Sequence, residues 1–284
     1  MKISILIPTF NNLPYLKFFL NSLKKNSSFD HEIVIHVNDG SEGTLDFVKK
    51  SNFKFTHSKE NIGLCSSMNN AYKLSTSDFL LYAHDDMYFC KNWDKYLIDE
   101  INKQNNNFYY LSGTNVSTRF GLINYNCGDT LENFDENKFL KFCIDDNTPD
   151  LQSAHWAPHL IHRELWDKIG GFSEEFNPGD GSDPDFCMKL WLENVRIFKG
   201  ISKFKVYHFN SLTTRNNKVT LNNGTKIFLL KYGFNPKFFR KYYLKGNNSI
   251  ILYKGILDEP KNNFFMYIEL IVNKLKYLFY KFKF

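Results

Sequence analysis

Polar residues that could bind a nucleotide follow three of the first four short apolar runs in the chain. Thr9 and Asn11 follow the first run, Asp39 follows the second, and Asp85 and Asp86 follow the fourth. In open α/β sheets, ligands bind in the crevice outside the carboxyl ends of the strands. The spacing of these side chains therefore predicts a nucleotide-type crevice within the first 86 residues.

The segments that must position these side chains alternate between the sequence patterns of strands and of helices. Apolar, β-branched runs predict buried strands at residues 3–7, 32–37, 53–57 and 79–83, with the first strand ended by Pro8. The stretches between them predict helices at 13–25, 44–50 and 66–74. Such alternation predicts an α/β fold with a mostly parallel sheet between two layers of helices.

The second half of the chain is less regular and rich in Asn up to about residue 180. We predict a strand at 155–161, a helix at 163–169 ended by Gly170 and Gly171, a helix at 185–193 and a last strand at 204–208. Beyond Thr225 the pattern is helical, basic and aromatic.

Six ordered blocks resemble those of the family-2 glycosyltransferases, which have the GT-A fold. The blocks read SILIPTFNN, VNDGS, ENIGLCSSMNNA, FLLYAHDDM, IGGFSEEF followed by SDPDFCMKLW, and VYHF. The resemblance covers residues 1–212 and implies a Rossmann-like domain, with a nucleotide-sugar half at about 1–90 and an acceptor half at about 91–212. Residues 213–284 would form a helical C-terminal extension.

The resemblance implies inverting, metal-dependent transfer of a single sugar from a nucleotide sugar, with a UDP-sugar favoured as the donor. The acceptor would be a hydroxyl of a glycan, a polysaccharide or a lipid-linked molecule. The Gln-x-x-Arg-Trp motif of processive members is missing, which argues against a polymer synthase. Two alternatives stay open: a sugar nucleotidyltransferase, and a non-catalytic glycan- or membrane-binding module on the same scaffold.

The donor site implied by the resemblance lies in the first three blocks and at the end of the fourth. Asp39 would accept a hydrogen bond from the base, and Gly63 would allow close approach of the backbone. Asn-Asp-Gly-Ser is also an ordinary turn sequence. The full set of predicted donor contacts is Pro8, Thr9, Phe10, Asn11, Asp39, Asn61, Gly63, Asn69, His84 and Asp85.

The metal implied by the resemblance is Mn²⁺ or Mg²⁺, with Asp86 and His208 as its ligands. A divalent cation stabilises the charge that develops on the departing pyrophosphate. His84 stands where the family often has Asp or Asn, and this departure leaves Asp85 and Asp86 as the acidic pair. Two adjacent Asp residues in a solvated turn are the alternative interpretation.

The catalytic base implied by the resemblance is Asp183, which would deprotonate the acceptor hydroxyl. Ser182 replaces the usual Glu, and Pro184 would start a helix with Asp183 as its N-cap. Asp185 and Trp156, together with His155, are candidates for the acceptor site. Burial in the core is an equally good explanation for Trp156.

The charge of the chain is concentrated at its C-terminal end. The net charge is +6, but residues 226–284 carry twelve Lys and Arg against three Asp and Glu, which leaves −3 for residues 1–225. Residues 264–284 form an amphipathic pattern with one apolar face flanked by lysines. This face predicts either an anionic membrane surface as partner or packing on the domain or on a second subunit.

The remaining composition bears on location. Five scattered cysteines without Cys-x-x-Cys spacing indicate reduced thiols, and we found no apolar run long enough for a membrane span. We therefore expect a cytoplasmic protein, with peripheral attachment to the cytoplasmic face of a membrane as the alternative. An aromatic tail with few arginines argues against nucleic acid as a partner.

Overall fold

The computed structural model describes residues 1–118, 121–152, 156–209, 220–246, 251–261 and 263–282. Within them, ten strands form one sheet whose main path has the order β3-β2-β1-β4-β9-β6-β10-β5. β7 pairs with β6, and β8 pairs with β10. The strands are β1 (Ile3–Phe10), β2 (Glu32–Asn38), β3 (Lys54–Ser58), β4 (Phe79–Tyr82), β5 (Met87–Phe89), β6 (Tyr109–Ser117), β7 (Ile123–Asn124), β8 (Leu151–Gln152), β9 (His159–His162) and β10 (Ile197–His208).

Helices pack around this sheet in the predicted alternation. Those of the first 101 residues are α1 (Leu13–Asn26), α2 (Thr44–Lys49), α3 (Leu64–Tyr72) and α4 (Trp93–Ile101). The middle of the chain adds α5 (Glu136–Asp145), α6 (Arg163–Ile169), the 3₁₀ helix Glu174–Phe176 and α7 (Ser182–Leu192). The C-terminal segment adds α8 (Gly224–Tyr232), α9 (Pro236–Tyr242) and α10 (Phe264–Phe282).

The sheet is mostly parallel, as the alternation predicts, but three strands run against the rest. β3, β2, β1 and β4 form a parallel block, and β10 pairs with β6 in parallel. β9 is antiparallel to both β4 and β6, while β5 and β8 are antiparallel to β10. Through β6 and β9, β10 runs in the same direction as β4 and β1, so His208 at its end lies at the edge where the first strands end.

Pro8 does not end the first strand, and that prediction was wrong. β1 continues to Phe10, paired with β2 along its whole length as far as Asn38. On its other side, pairing with β4 stops at Leu6. Beyond that residue β2 is the one neighbour of β1 among the described strands, and proline is tolerated where a strand becomes an edge.

Part of the C-terminal segment joins the main core. The buried side chains of Phe228 in α8 and Phe239 in α9 belong to the same apolar cluster as the sheet. α10 instead contributes Met266 to a small separate cluster with Phe238 and Tyr242 of α9. The expected boundary between residues 212 and 213 lies outside the described residues.

Candidate functional site

Three side chains able to ligate a metal converge where β4 and β10 end. His84 and Asp86 lie between β4 and β5, and His208 is the last residue of β10. The pairing of β10 with β5 places His208 opposite Met87. His208 Nε2 lies 3.0 Å from Asp86 Oδ1 and 3.4 Å from His84 Nδ1. One ligand atom of each residue therefore lies within 4.8 Å of the other two.

The electrostatics of this cluster favour the forms that bind a cation. Burial and the nearby His208 lower the pKa of His84 to about 4, so its imidazole is neutral near pH 7. Burial alone would raise the pKa of Asp86, but the adjacent His208 outweighs it and lowers the pKa. A neutral imidazole and an ionised carboxylate are the forms that ligate metals. The residues present thus fit a divalent cation.

His84 is the residue whose role the sequence did not reveal. We predicted it as a donor contact, at a position where the family often has Asp or Asn. The structure places its imidazole beside Asp86 and His208, so the candidate ligand set is two imidazoles and one carboxylate. A signal was present, since His is a common metal ligand, but the distance to His208 could not be seen from the sequence.

Asp85 points to the neighbouring strand end. Its Oδ2 accepts a hydrogen bond of 2.6 Å from the Thr9 hydroxyl, which joins the end of β4 to the end of β1. Burial and the adjacent Asp86 raise the pKa of Asp85. Two predicted donor contacts, Thr9 and Asp85, are therefore in direct contact with each other.

Asn11 and Asp39 form a second link between strand ends. Asn11 Nδ2 donates to Asp39 Oδ2 at 2.9 Å, and its Oδ1 accepts from the Gly40 backbone N–H at 2.9 Å. Both residues have left-handed backbone, with φ of 45° for Asn11 and 56° for Asp39, a region that Asn and Asp enter more readily than most. The hydrogen bond from Asn11 lowers the pKa of Asp39, so this carboxylate is ionised and ready to accept.

The remaining predicted donor contacts fall into two groups. Phe10, Asn61 and Gly63 line one surface cleft, with Pro8 two residues earlier in β1. Asn69 lies apart from them, because its amide donates to the Phe172 carbonyl and accepts from the Phe172 N–H, both at 2.9 Å. The Asn69 side chain thus joins α3 to the segment that follows α6.

Asp183 lies in the first turn of α7, and its expected role as N-cap was wrong. The helix begins at Ser182, and Gly181, with a φ of 83°, precedes it. Pro184 is the third helical residue, where no backbone N–H is needed. Asp183 Oδ1 is buried and finds no hydrogen-bond partner among the described residues. Burial raises the pKa of this carboxyl to about 7.

Tyr82 lies between α7 and the cluster of His84, Asp86 and His208, here called the metal-type cluster. Its hydroxyl lies 2.6 Å from His84 Nε2 in the buried end of β4. Burial, followed by the charges of Asp183, Asp86 and Asp85, raises the pKa of Tyr82 well above its usual value. Its ring also contacts Phe172, which stacks on Phe186 of α7, the helix that carries Asp183.

Asp185 is fully buried and bound by the C-terminal segment. Its Oδ1 accepts from the Tyr232 hydroxyl at 2.7 Å and pairs with the Lys231 ammonium at 2.8 Å. The same ammonium lies 2.6 Å from Glu175. These contacts give the Asp185 carboxylate partners inside the protein.

Trp156 is half-buried and packs against the core. Its backbone carbonyl accepts from the Tyr110 hydroxyl at 3.2 Å, and the Arg240 guanidinium of α9 lies 5.8 Å from its ring centroid. Trp156 as a whole remains partly exposed. His155 lies outside the described residues.

The loop before Asp183 is also held by the C-terminal segment, through contacts that the sequence did not reveal. Asp180 Oδ2 accepts from the Gly224 N–H at 2.9 Å, and the Asp180 backbone bonds both ends of the Asn222 amide at 3.0 and 3.1 Å. A Cβ on Gly224 would lie 2.1 Å from the Asp180 carbonyl oxygen. Only glycine allows this approach of the two backbones.

The fold and the strand-end cluster define a protein of the GT-A class. The chain matches the family model described as Glycosyl transferase family 2 over residues 4–169. This match covers more than half of the 284 residues, and the chain belongs to that family.

Solved structures with the same fold include complexes with UDP or a UDP-sugar. The S. aureus TarS 1-349 complex with UDP-GlcNAc matches with a TM-score of 0.54 and 21% identity, over 74% of this chain and 61% of that one. GalNAc-T7 with UDP, GalNAc and Mn²⁺ matches with a TM-score of 0.56 and 16% identity, over 79% of this chain and 45% of that one. The chain thus spans about three fifths of the TarS chain, and at these identities the likeness shows the fold.

Proposed function

We propose that this protein transfers a single sugar, with inversion, from a UDP-sugar to a hydroxyl of a glycan, a polysaccharide or a lipid-linked acceptor. The observation that carries the proposal is the cluster of His84, Asp86 and His208, which the Tyr82 hydroxyl contacts through His84. On the other side of Tyr82, Phe172 stacks on Phe186 of α7, the helix that carries the Asp183 carboxyl with its buried Oδ1. A metal-type cluster beside a carboxyl with a raised pKa suits the departure of a diphosphate and the deprotonation of an acceptor.

His84, Asp86 and His208 would hold the divalent cation. When bound, the cation would offset the negative charge that develops on the departing diphosphate. Imidazole ligands suit transition metals better than Mg²⁺, which prefers oxygen ligands. The two histidines therefore favour Mn²⁺ over Mg²⁺ in this chain, and Mn²⁺ is the ion in the GalNAc-T7 complex.

The strand ends would bind the nucleotide. Asp39, ionised and oriented by Asn11, suits an N–H of the base. Phe10, Asn61 and Gly63 offer one side of a cleft beside it. Thr9 and Asp85 would lie between base and metal, since their hydrogen bond joins β1 to the loop that carries Asp86. UDP in the TarS and GalNAc-T7 complexes supports a uridine nucleotide.

Asp183 would act as the general base. A carboxyl with a pKa of about 7 is half ionised at neutral pH, which suits removal of a proton from a hydroxyl. The acceptor hydroxyl, deprotonated by Asp183, would attack the anomeric carbon as the bond to the UDP diphosphate breaks. This single displacement inverts the anomeric centre. Trp156, which remains partly exposed, would offer its ring to the acceptor.

The reaction would take place in a reducing compartment. All five cysteines are free, and four of them are buried. Free buried thiols are typical of proteins that fold in the cytoplasm. We therefore propose that the enzyme is cytoplasmic. Because its proposed donors are UDP-sugars, we also propose that it acts in polysaccharide or glycolipid synthesis.

The direct test measures release of UDP from a panel of UDP-sugars with Mn²⁺, in the native chain and in Asp183→Asn. We expect turnover with at least one donor, and a loss of ~10²-fold or more in the variant. The matched control is Asp167→Asn, which removes a carboxylate from the surface of α6. Equal turnover of native chain and Asp183→Asn would exclude the base. UDP binding without turnover of any donor and acceptor would favour the non-catalytic binding module.

A second test concerns the metal ligands and reads binding rather than activity. Calorimetric titration should show tighter binding of Mn²⁺ than of Mg²⁺ to the native chain. His84→Asp should narrow that preference, because it replaces an imidazole with an oxygen ligand. An unchanged ratio of the two affinities would show that His84 does not ligate the ion.

A further inference from the structure

The C-terminal helix α10 turns its more polar side toward the protein. Met266 and Asn273 are its buried residues, and Asn273 Oδ1 accepts from the Asn235 N–H before α9 at 3.0 Å. On the same side, Glu269 hydrogen-bonds the Tyr242 hydroxyl at 3.1 Å and pairs with Lys241 at 2.5 Å. The helix is therefore attached to α9 by hydrogen bonds and an ion pair, with Met266 as its one fully enclosed apolar side chain.

The opposite side of α10 is a continuous apolar surface, here called the outer face. The exposed fractions of its side chains run from 39% at Leu278 to 73% at Phe264 and Phe282. The members of the outer face are Phe264, Phe265, Tyr267, Ile268, Ile271, Val272, Leu275, Leu278, Phe279 and Phe282. With 100° between successive residues, these ten side chains fill an arc of about 160° that contains no charged residue.

Lysines border the outer face on both sides. Lys274 and Lys281 lie at one edge of the arc and Lys276 lies at the other, between the outer face and the side attached to the protein. All three are exposed. A lysine at such a border can extend its ammonium to lipid headgroups while its methylene stem lies along the acyl boundary.

The length and composition of α10 suit a helix that lies on a bilayer. Its 19 residues span about 28 Å. Among the described residues, no helix combines the length and hydropathy that a membrane crossing needs. A large apolar arc, lysines at its borders and attachment to a folded domain are the features of an interfacial helix.

We propose that the outer face of α10 docks on an anionic lipid bilayer. Charge decides between a bilayer and a second copy of the chain. In a symmetric dimer through this face, the border lysines of one copy would approach those of the other. Glu269, the one acidic residue of α10, lies on the opposite side and is paired with Lys241. Anionic headgroups complement the lysines, and each contact contributes on the order of a fivefold gain in binding.

The docking does not depend on the proposed reaction, but it would place the enzyme beside acceptors attached to lipid. The C-terminal segment also holds Asp180, in the loop that precedes Asp183 and α7, through Gly224 and Asn222. The catalytic domain would therefore sit in a fixed orientation relative to α10, and so relative to the bilayer.

The test is flotation of the full chain with vesicles of phosphatidylcholine alone or mixed with phosphatidylglycerol. We expect the native chain to float with the mixed vesicles and to remain largely unbound with phosphatidylcholine. Ile271→Glu combined with Leu275→Glu should abolish flotation. The matched control, Ile144→Glu with Ile256→Glu, alters two isoleucines that are 80% and 72% exposed elsewhere, and should float like the native chain.

A second variant separates the contribution of charge to lipid binding from that of apolar contact. It replaces exposed side chains, so we expect it to fold. Lys274→Gln with Lys276→Gln should reduce partitioning roughly twenty-fold or more, since two lysine contacts are lost. Flotation of the Ile271/Leu275 variant equal to that of the control would overturn the proposal. A second result would also overturn it: light scattering shows that the native chain is a dimer, this dimer binds neither kind of vesicle, and Ile271→Glu with Leu275→Glu dissociates it. Melting curves of the variants, matched to the native chain, confirm that each is folded.

Discussion

The strand-end site and the helix α10 distribute polar and apolar side chains in opposite ways. At the site, polar groups are buried: Asp86 is 4% exposed and Asp85 is 5% exposed, while their hydrogen bonds go to His208 and Thr9. In α10, apolar groups are exposed, and the buried residues include Asn273. Each region thus departs from the usual rule that apolar side chains lie inside.

The two departures call for different partners. Buried carboxylates lose their stabilisation by water, and a bound cation with its nucleotide would compensate for that loss. An exposed apolar arc orders water around it, and a lipid surface would remove that arc from water. The same chain therefore presents one site to a charged small molecule and one surface to a bilayer. Substitutions in each region should affect different measurements.

The largest effect should come from His208→Ala, which removes one of three candidate ligands of the metal. Donor turnover at fixed Mn²⁺ should fall ~10²-fold or more, with recovery of part of the loss as Mn²⁺ is raised. The control is His162→Ala, at the other end of the strands, where the imidazole accepts from the Glu164 N–H. Full turnover in His208→Ala at low Mn²⁺ would remove this residue from the metal site.

A smaller effect is expected where the two regions are joined. Gly224→Ala places a Cβ against the Asp180 carbonyl oxygen and should destabilise the chain by about 1–3 kcal/mol in urea unfolding. It should also lower turnover more than its effect on stability explains, because Asp183 follows Asp180 closely. Thr225→Ala is the control, since it changes an exposed side chain next to Gly224 without adding a Cβ. Native turnover in Gly224→Ala would show that this contact does not position the base.

The pH dependence of the site should reveal Asp183. Burial raises its pKa to about 7 in the folded chain, and the base acts only when it is deprotonated. The rate constant kcat/KM should therefore rise about tenfold per unit up to pH 7 and level off above it. A profile that stays flat from pH 5 to pH 8 at saturating metal would argue against a buried carboxyl as base.

The smallest effect concerns α10 and separates the regions most clearly. Ile271→Glu with Leu275→Glu should change the free energy of unfolding by less than about 0.5 kcal/mol per site, since both side chains are exposed. Turnover with a water-soluble acceptor should match the native chain. A large loss of either would mean that the outer face packs against protein.

The sequence predicted the first half of the fold well because local signals and tertiary contacts agree there. Strand 32–37 and helix 13–25 differ from β2 and α1 by one residue at their C-terminal ends. Pro8 misled us because its effect depends on where pairing with β4 stops, which only the assembled sheet shows. Likewise, the start of α7 depends on the left-handed backbone of Gly181, not on Asp183.

The candidate site was predicted in its residue types more than in its contacts. Asp86 and His208 come together as the resemblance implies. The contact of His84 with His208 joins residues 124 positions apart, and the anchoring of Asp185 by Lys231 joins residues far apart across α7 and α8. Neither pattern has a local signal. The apolar stripe of α10 was visible, but which side packs on α9 depends on Asn235 and Asn273.

The most direct test of the central claim is calorimetric titration of UDP into the native chain and into Asp86→Asn, with and without Mn²⁺. We expect Mn²⁺ to strengthen the binding of UDP at least tenfold in the native chain, and we expect that gain to be lost in the variant. Binding of UDP that is equally strong with and without Mn²⁺, and unchanged in Asp86→Asn, would contradict a metal-assisted nucleotide site at the ends of β4 and β10.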